Sequence, residues 1–250
     1  MATFRIALQT YTVREEMARD FQGTLRQIAE MGYPAVQLSD TGGMSIAEAK
    51  AFLDSLGLTV FGGHFGLEQL EKNLDGVLEL ARGLGMEHIV VPWMPEELRR
   101  DAEGWKNVAA RMNAIGEKVV AAGFVFGYHN HSFEFQRFDG KTGLDILMEN
   151  TDPKLVQLEL DTYWVKHGGE DPAAYIRQYA GRVPLLHLKD MAPDGSFAEV
   201  GHGILDWDSI FQAAEEAGVQ WAAVEQDTCQ RPALESARLS LEFLKSKGLV

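Results

Sequence analysis

The chain has a single cysteine, Cys229, in 250 residues. That excludes an intramolecular disulfide and any cysteine-rich zinc site, and nothing points to an oxidising compartment. Positive charge is also short: 23 Lys and Arg stand against 37 Asp and Glu, a formal net charge of −14. Such an excess opposes phosphate backbones and anionic membrane surfaces, so neither nucleic acid nor membrane is expected as a partner. No apolar run is long enough to cross a bilayer. The N-terminus enters Phe4-Arg-Ile-Ala-Leu-Gln almost at once, without a basic region or a cleavable apolar stretch. The expectation is a cytoplasmic protein with a small-molecule partner, homo-oligomerisation being left open. Low-complexity and linker-like segments are absent as well, which implies one domain over residues 1–250.

What the chain does have is length and apolar content for one large core: 46% of its residues are hydrophobic. Short β-type runs alternate with longer helical patterns, the sequence form of repeated βα units. Strands are expected at Phe4–Leu8, Ala35–Leu38, Thr59–Gly62, His88–Pro92, Val125–His129, Val156–Leu160, Pro184–Leu188 and Ala222–Glu225. Eight strands in a chain of this length predict a closed (β/α)8 TIM barrel with its active site at the C-terminal strand ends. Between them, apolar residues recur at helical spacing, as in Leu74, Val77, Leu78 and Ala81. Gly32, Gly57, Gly85, Gly123 and Gly218 fall just past the helices, where a left-handed C-cap is favoured. Ser45 with Glu48, and Asp206 before the last-but-one helix, mark helix starts. The longest non-periodic segments, Ser132–Gly140 and Ala192–Leu205, both follow strands and would be loops of the active-site face.

Three polar residues close apolar strands in the second half. Asp161 ends Val156-Gln-Leu-Glu-Leu-Asp, His187 ends Val183-Pro-Leu-Leu-His, and Glu225 ends Trp221-Ala-Ala-Val-Glu. Strands this apolar are buried on both faces, so each polar end needs a partner to offset its desolvation. Singly, His187 reads as a hydrogen-bonded core histidine, Asp161 as a turn cap and Glu225 as a partner for Lys189 or an arginine. Together at strand ends of one barrel they point at one divalent cation. Glu134 offers a fourth ligand. His129 and His131 share one strand face and could bind metal, but three imidazoles would draw the site toward zinc chemistry, so substrate contact is the preferred role. Lys189 lies two residues beyond His187 on the same face. The strand ends also carry His64, Trp93, Trp164 and His167, with His202 in a later loop. Such rings and hydrogen-bonding groups suit a sugar, and Trp207 and Trp221 are read as packing.

Glu134, Asp161, His187 and Glu225, with His187-Leu-Lys-Asp and Gly201-His-Gly-Ile-Leu-Asp-Trp, resemble the sugar phosphate isomerase/epimerase branch of the xylose-isomerase-like TIM barrel superfamily. That branch includes ketose 3-epimerases, hydroxypyruvate isomerases and inosose dehydratases. The resemblance spans the whole chain and implies one Mn²⁺, Mg²⁺ or Co²⁺ ion held by Glu134, Asp161, His187 and Glu225. Two departures stand out. The ketose epimerases place the first glutamate directly at the end of strand five, where this chain has Tyr128-His-Asn-His, and they place an arginine where His202 stands. The implied reaction is isomerisation or epimerisation of a ketose or keto-sugar through an enediolate. Glu134 and Glu225 would act as acid and base, assisted by Lys189. If His129, His131 or Lys189 instead protonates a departing hydroxyl, the same site is a lyase or dehydratase acting on a keto-sugar, an inosose or a 3-keto-glycoside. With no phosphate-cradling glycine loop, the substrate is expected to be unphosphorylated. Seven histidines and the acidic charge argue against the zinc endonucleases of the same superfamily. A non-catalytic sugar-binding protein ranks behind both enzymes.

Overall fold

The computed structural model describes residues 4–250. Eight parallel strands form the barrel: β1 (Arg5–Gln9), β2 (Ala35–Gln37), β3 (Thr59–His64), β4 (His88–Val91), β5 (Val125–His129), β6 (Gln157–Asp161), β7 (Leu185–Leu188) and β8 (Trp221–Val224). They pair in sequence order, and β1 closes the ring against β8 through Ile6↔Ala222 and Leu8↔Val224. Each lies within a residue or two of its expected place.

Strand residues alternate between two environments, as a period of two requires. Ile6, Leu8, Val36, Ile89, Phe126, Leu158, Leu160, Leu186 and Val224 belong to the large core shared with the surrounding helices. The inward positions begin with a small separate cluster of Ala7, Ala35, Phe61, Val90, Leu185, Trp221 and Ala223. Phe61 stacks on Trp221 with ring centroids 4.9 Å apart, sealing the N-terminal end of the barrel. One inward step further along the strands, the residues become polar.

The expected helix punctuation is present. Gly32, Gly85 and Gly218 are left-handed C-caps, and Gly57 and Gly123 take positive φ one residue after theirs. Ser45 and Glu48 form a capping box, and the Asp206 carboxylate accepts from the Ser209 N–H. The two segments expected to be plain loops differ: each is braced by a two-stranded ribbon, Arg137–Phe138 with Lys141–Thr142, and Asp190–Met191 with Phe197–Ala198. Among the described residues no helix is long and apolar enough to cross a membrane.

Candidate active site

Gln9, Gln37, Glu159 and His187 each stand two residues beyond an inward-facing position, so their strands aim them at the barrel axis. All four are buried. Gln9 Nε2 donates to Gln37 Oε1 at 2.6 Å, and Gln37 Nε2 donates to Glu159 Oε1 at 2.7 Å. The other Glu159 oxygen faces three imidazoles: His64 Nε2 at 2.5 Å, His129 Nδ1 at 3.2 Å and His187 Nε2 at 3.2 Å. Burial pushes the Glu159 carboxyl upward, but the neighbouring histidines outweigh it and hold the group well below the usual carboxylate range.

Above this layer lies a second one. His187 Nδ1 meets Glu225 Oε2 at 2.8 Å, and His129 Nε2 stands 3.9 Å from Asp161 Oδ2. Lys189 Nζ is 3.0 Å from Asp161 Oδ2, 2.8 Å from Glu225 Oε2 and 3.1 Å from Asp227 Oδ1. Asp161 also caps the Thr162–His167 helix, its Oδ1 accepting from the Trp164 N–H at 2.8 Å. Its Oδ2 is buried without any hydrogen bond, the ammonium of Lys189 being near but not directed at it. Burial drives Asp161 up to about 7, against the pull of Lys189. Burial likewise lowers His187, but Glu159 and Glu225 prevail and leave it at about 10. An entering cation must expel such protons, so it competes better as pH rises through these values.

The donor set fits a divalent ion. Ligand atoms of His129, Asp161, His187 and Glu225 all lie within 4.8 Å of one another. Bonds of roughly 2.0–2.2 Å place donors at most about 4.4 Å apart, so only a small contraction is needed. The unpartnered Asp161 oxygen and the surplus of carboxylates around one ammonium supply the attraction. A second grouping, His64, His129, Glu159 and His187, shares His129 and His187 with the first.

A cavity of about 410 Å³ opens over this layer, lined by Tyr11, His64, Pro92, Trp93, His129, His131, Glu225 and Asp227. Trp93 and Tyr11 are 49% and 50% exposed, so their rings are free to meet a ligand. Through Tyr11 and His64 it adjoins a larger cleft of about 730 Å³ that holds Arg14, Phe21 and Asp40. Another hollow, of about 250 Å³, lies at the opposite strand ends and contains none of the clustered groups.

Of the four ligands expected from sequence, the fold brings Asp161, His187 and Glu225 together and leaves Glu134 apart. Glu134 is in neither grouping. Its Oε1 accepts from the Tyr128 hydroxyl at 2.6 Å and its Oε2 from the His131 N–H at 2.8 Å, so both oxygens are spent holding the 128–131 segment. Burial raises it to about 8. His129, expected to touch substrate, belongs to both groupings as well as to the cavity wall. His64, Trp93 and His131 line the cavity. Burial and the nearby Lys189 lower His131 to about 3, which makes it a neutral imidazole. Trp164 stands behind His131 at 5.3 Å, His167 packs on Tyr163 and Trp164, and His202 lies in the glycine loop; none lines the cavity. Lys189 sits beneath the cavity, tied to three carboxylates. Glu159, Gln37 and Asp227 were not singled out from the sequence. For Glu159 a signal existed: it precedes Asp161 by two and must share its face.

The motifs at 187–190 and 201–207 prove to be one device. Buried Asp190 accepts through Oδ2 from Gly201 N (2.9 Å), Gly203 N (3.0 Å) and Trp207 Nε1 (2.7 Å), and through Oδ1 from Met191 N (2.8 Å) and Leu205 N (3.2 Å). Trp207 therefore does more than pack. A Cβ on Gly203 would meet Asp190 Oδ1 and Met191 O at 2.3 Å, and Gly201 has φ +85°, which explains both glycines. Asp190→Asn turns one acceptor into a donor facing other donors and is expected to destabilise the protein by about 3 kcal/mol. Thermal unfolding measures it; a variant as stable as the parent would remove Asp190 as the loop's anchor.

Comparison with known proteins agrees with this geometry. Inosose dehydratase of Clostridium beijerinckii is 24% identical over 268 residues, covering 91% of this chain and 89% of that protein. A crystal structure of a sugar phosphate isomerase/epimerase from Parabacteroides distasonis superposes with a TM-score of 0.86 at 26% identity, covering 100% of this chain and 96% of that one. The IolI protein, crystallised with a bound zinc atom, shares the fold at a TM-score of 0.77 and 15% identity, over 98% of this chain and 99% of its own. The sequence matches the xylose isomerase-like TIM barrel family over residues 25–247, and the chain belongs to that family.

Proposed function

We propose that the protein is a divalent-metal-dependent isomerase or epimerase of a keto-sugar. The observation that carries this reading is the set His129, Asp161, His187 and Glu225, from four successive strands, at the base of a cavity rimmed by Tyr11 and Trp93. Two imidazoles with two carboxylates suit Mn²⁺, Co²⁺ or Zn²⁺ better than Mg²⁺, which prefers six oxygens. Bound there, the ion supplies Lewis acidity that makes a carbon-bound proton beside a carbonyl easier to remove.

The chain's own groups do the rest. Glu225 lines the cavity, and although burial opposes its charge, Lys189 and His187 hold it well below the usual carboxylate range. Held as a carboxylate and facing the cavity, it is the proton acceptor. Lys189, whose pKa is raised by Asp161 and Glu225 despite its burial, stays charged and pins both carboxylates. Glu134, sealed against Tyr128, positions the histidine segment, and Glu225 itself hands the proton back to the neighbouring carbon, as one base can in an isomerisation. Neutral His131 and half-buried Asp227 are the wall groups placed to meet sugar hydroxyls. Tyr11 and Trp93 offer flat apolar faces to a ring.

The likeness to inosose dehydratase favours a second reading, in which a hydroxyl leaves as water after the same proton removal. One experiment separates them. The Mn²⁺-loaded protein is incubated in D₂O with a panel of ketoses, inososes and 3-keto-sugars and followed by NMR and mass spectrometry. An active substrate gains deuterium beside its carbonyl, EDTA stops the exchange, and metal restores it. Product isomeric with substrate supports the first reading; product lighter by one water moves the assignment to the second. No exchange with any panel member defeats both.

A further inference from the structure

We infer that Glu159 is a positioning residue shared by both imidazoles of the cation site: its carboxylate charge stands against the far nitrogen of His129 and of His187, seconding Gln37 at the latter, and so fixes which nitrogen of each ring faces Asp161 and Glu225. This inference rests on the cation reading above. Glu159 lies on β6, between the strands that carry the two histidines, and two residues below Asp161. His129 pairs in register with Glu159, and His187 with Asp161. A single strand thus supplies one prospective ligand and, one layer down, the group that orients two others.

The rings use opposite nitrogens. His129 turns Nδ1 to Glu159 at 3.2 Å and Nε2 toward Asp161 at 3.9 Å. His187 turns Nε2 to Glu159 at 3.2 Å and Nδ1 to Glu225 at 2.8 Å. A neutral imidazole has one N–H and one lone pair, so a carboxylate accepting at one nitrogen directs the lone pair to the other. One Glu159 oxygen faces the far nitrogen of both rings at 3.2 Å, although the directed acceptor at His187 Nε2 is Gln37 Oε1. The same Glu159 oxygen also meets His64 at 2.5 Å, and its companion is fixed by Gln37, in turn fixed by Gln9. Gln37 Oε1 stands 2.7 Å from His187 Nε2 and shares in holding that ring. The carboxylate is fully engaged, whereas the Asp161 oxygen on the upper side has no hydrogen bond. Glu159 is accordingly an orienting group and not a ligand. The His129 N–H direction toward it is poor, so this contact tightens when the ring is drawn onto an ion.

The test uses Zn²⁺, which is diamagnetic. In the Zn²⁺-loaded parent, long-range ¹H–¹⁵N spectra of the imidazoles should place the proton of His129 on Nδ1 and that of His187 on Nε2. Glu159→Gln should weaken Zn²⁺ binding by roughly 10–100-fold and blur both tautomers. Glu159→Asp, which keeps the charge on a shorter arm, should recover part of the loss. Reversed tautomers in the parent, a Glu159→Gln protein that binds Zn²⁺ like the parent, or an anomalous peak within bonding distance of the Glu159 carboxylate would each overturn the assignment. The parent spectrum decides even where the variants fail to fold. A parent that takes up no Zn²⁺ or Mn²⁺ sinks the cation reading and this inference with it, whereas normal uptake with unaltered Glu159→Gln binding sinks only the latter.

Discussion

His187→Ala is expected to lose divalent-metal affinity by more than the roughly 10–100-fold that outer-shell changes cost. It should also destabilise the fold by about 3–5 kcal/mol, since removing one partner of a buried ion pair strands the other. The ring is fully buried between Glu159 and Glu225, and without it both carboxylates face an empty space. Calorimetric Mn²⁺ titration and thermal unfolding measure the two effects, and the melting temperature should fall by about 10 °C for a chain of this size. A variant that binds Mn²⁺ as the parent does would show that His187 is no ligand.

Glu225→Gln should lower the rate of solvent exchange at the substrate by roughly 10²–10⁴, the usual contribution of a positioned general base. The amide keeps an oxygen in place but cannot take a proton at working pH. Exchange is best compared at saturating metal, with bound metal assayed alongside, because Glu225 is also in the ligand cluster. Full exchange in Glu225→Gln, together with its loss in His131→Asn, would transfer the base to the histidine segment. Lys189 then becomes informative, since its ammonium is 2.8 Å from Glu225 Oε2 and would be left facing an amide.

Glu134 and His129 mark the limit of linear reading at this site. Both belong to one segment, Tyr128-His-Asn-His-Ser-Phe-Glu, and either could reach a strand-end ion by residue type alone. What separates them is a short 3-10 turn at Phe133–Phe135, which folds the glutamate back beneath its own segment onto the Tyr128 hydroxyl. Turn geometry of that kind depends on packing around it and leaves no periodic trace. The same holds for His202 and Trp164: one is carried by a loop that Asp190, at the start of the same connection, ties down, and the other stands behind His131.

The sequence by itself determined the eight strands, the helix ends and the strand-end placement of Asp161, His187 and Glu225. These follow from local rules: period two in a strand, left-handed glycine after a helix, and the desolvation penalty of a polar group closing an apolar run. Only the tertiary structure decided that His129 joins those three, that Glu159 lies beneath two rings at once, and that Lys189 stands against three carboxylates. The physical reason is closure of the ring. Residues up to 188 positions apart, as Gln37 and Glu225 are, approach His187 from opposite sides only because β1 pairs with β8, and no local pattern in the chain encodes that meeting.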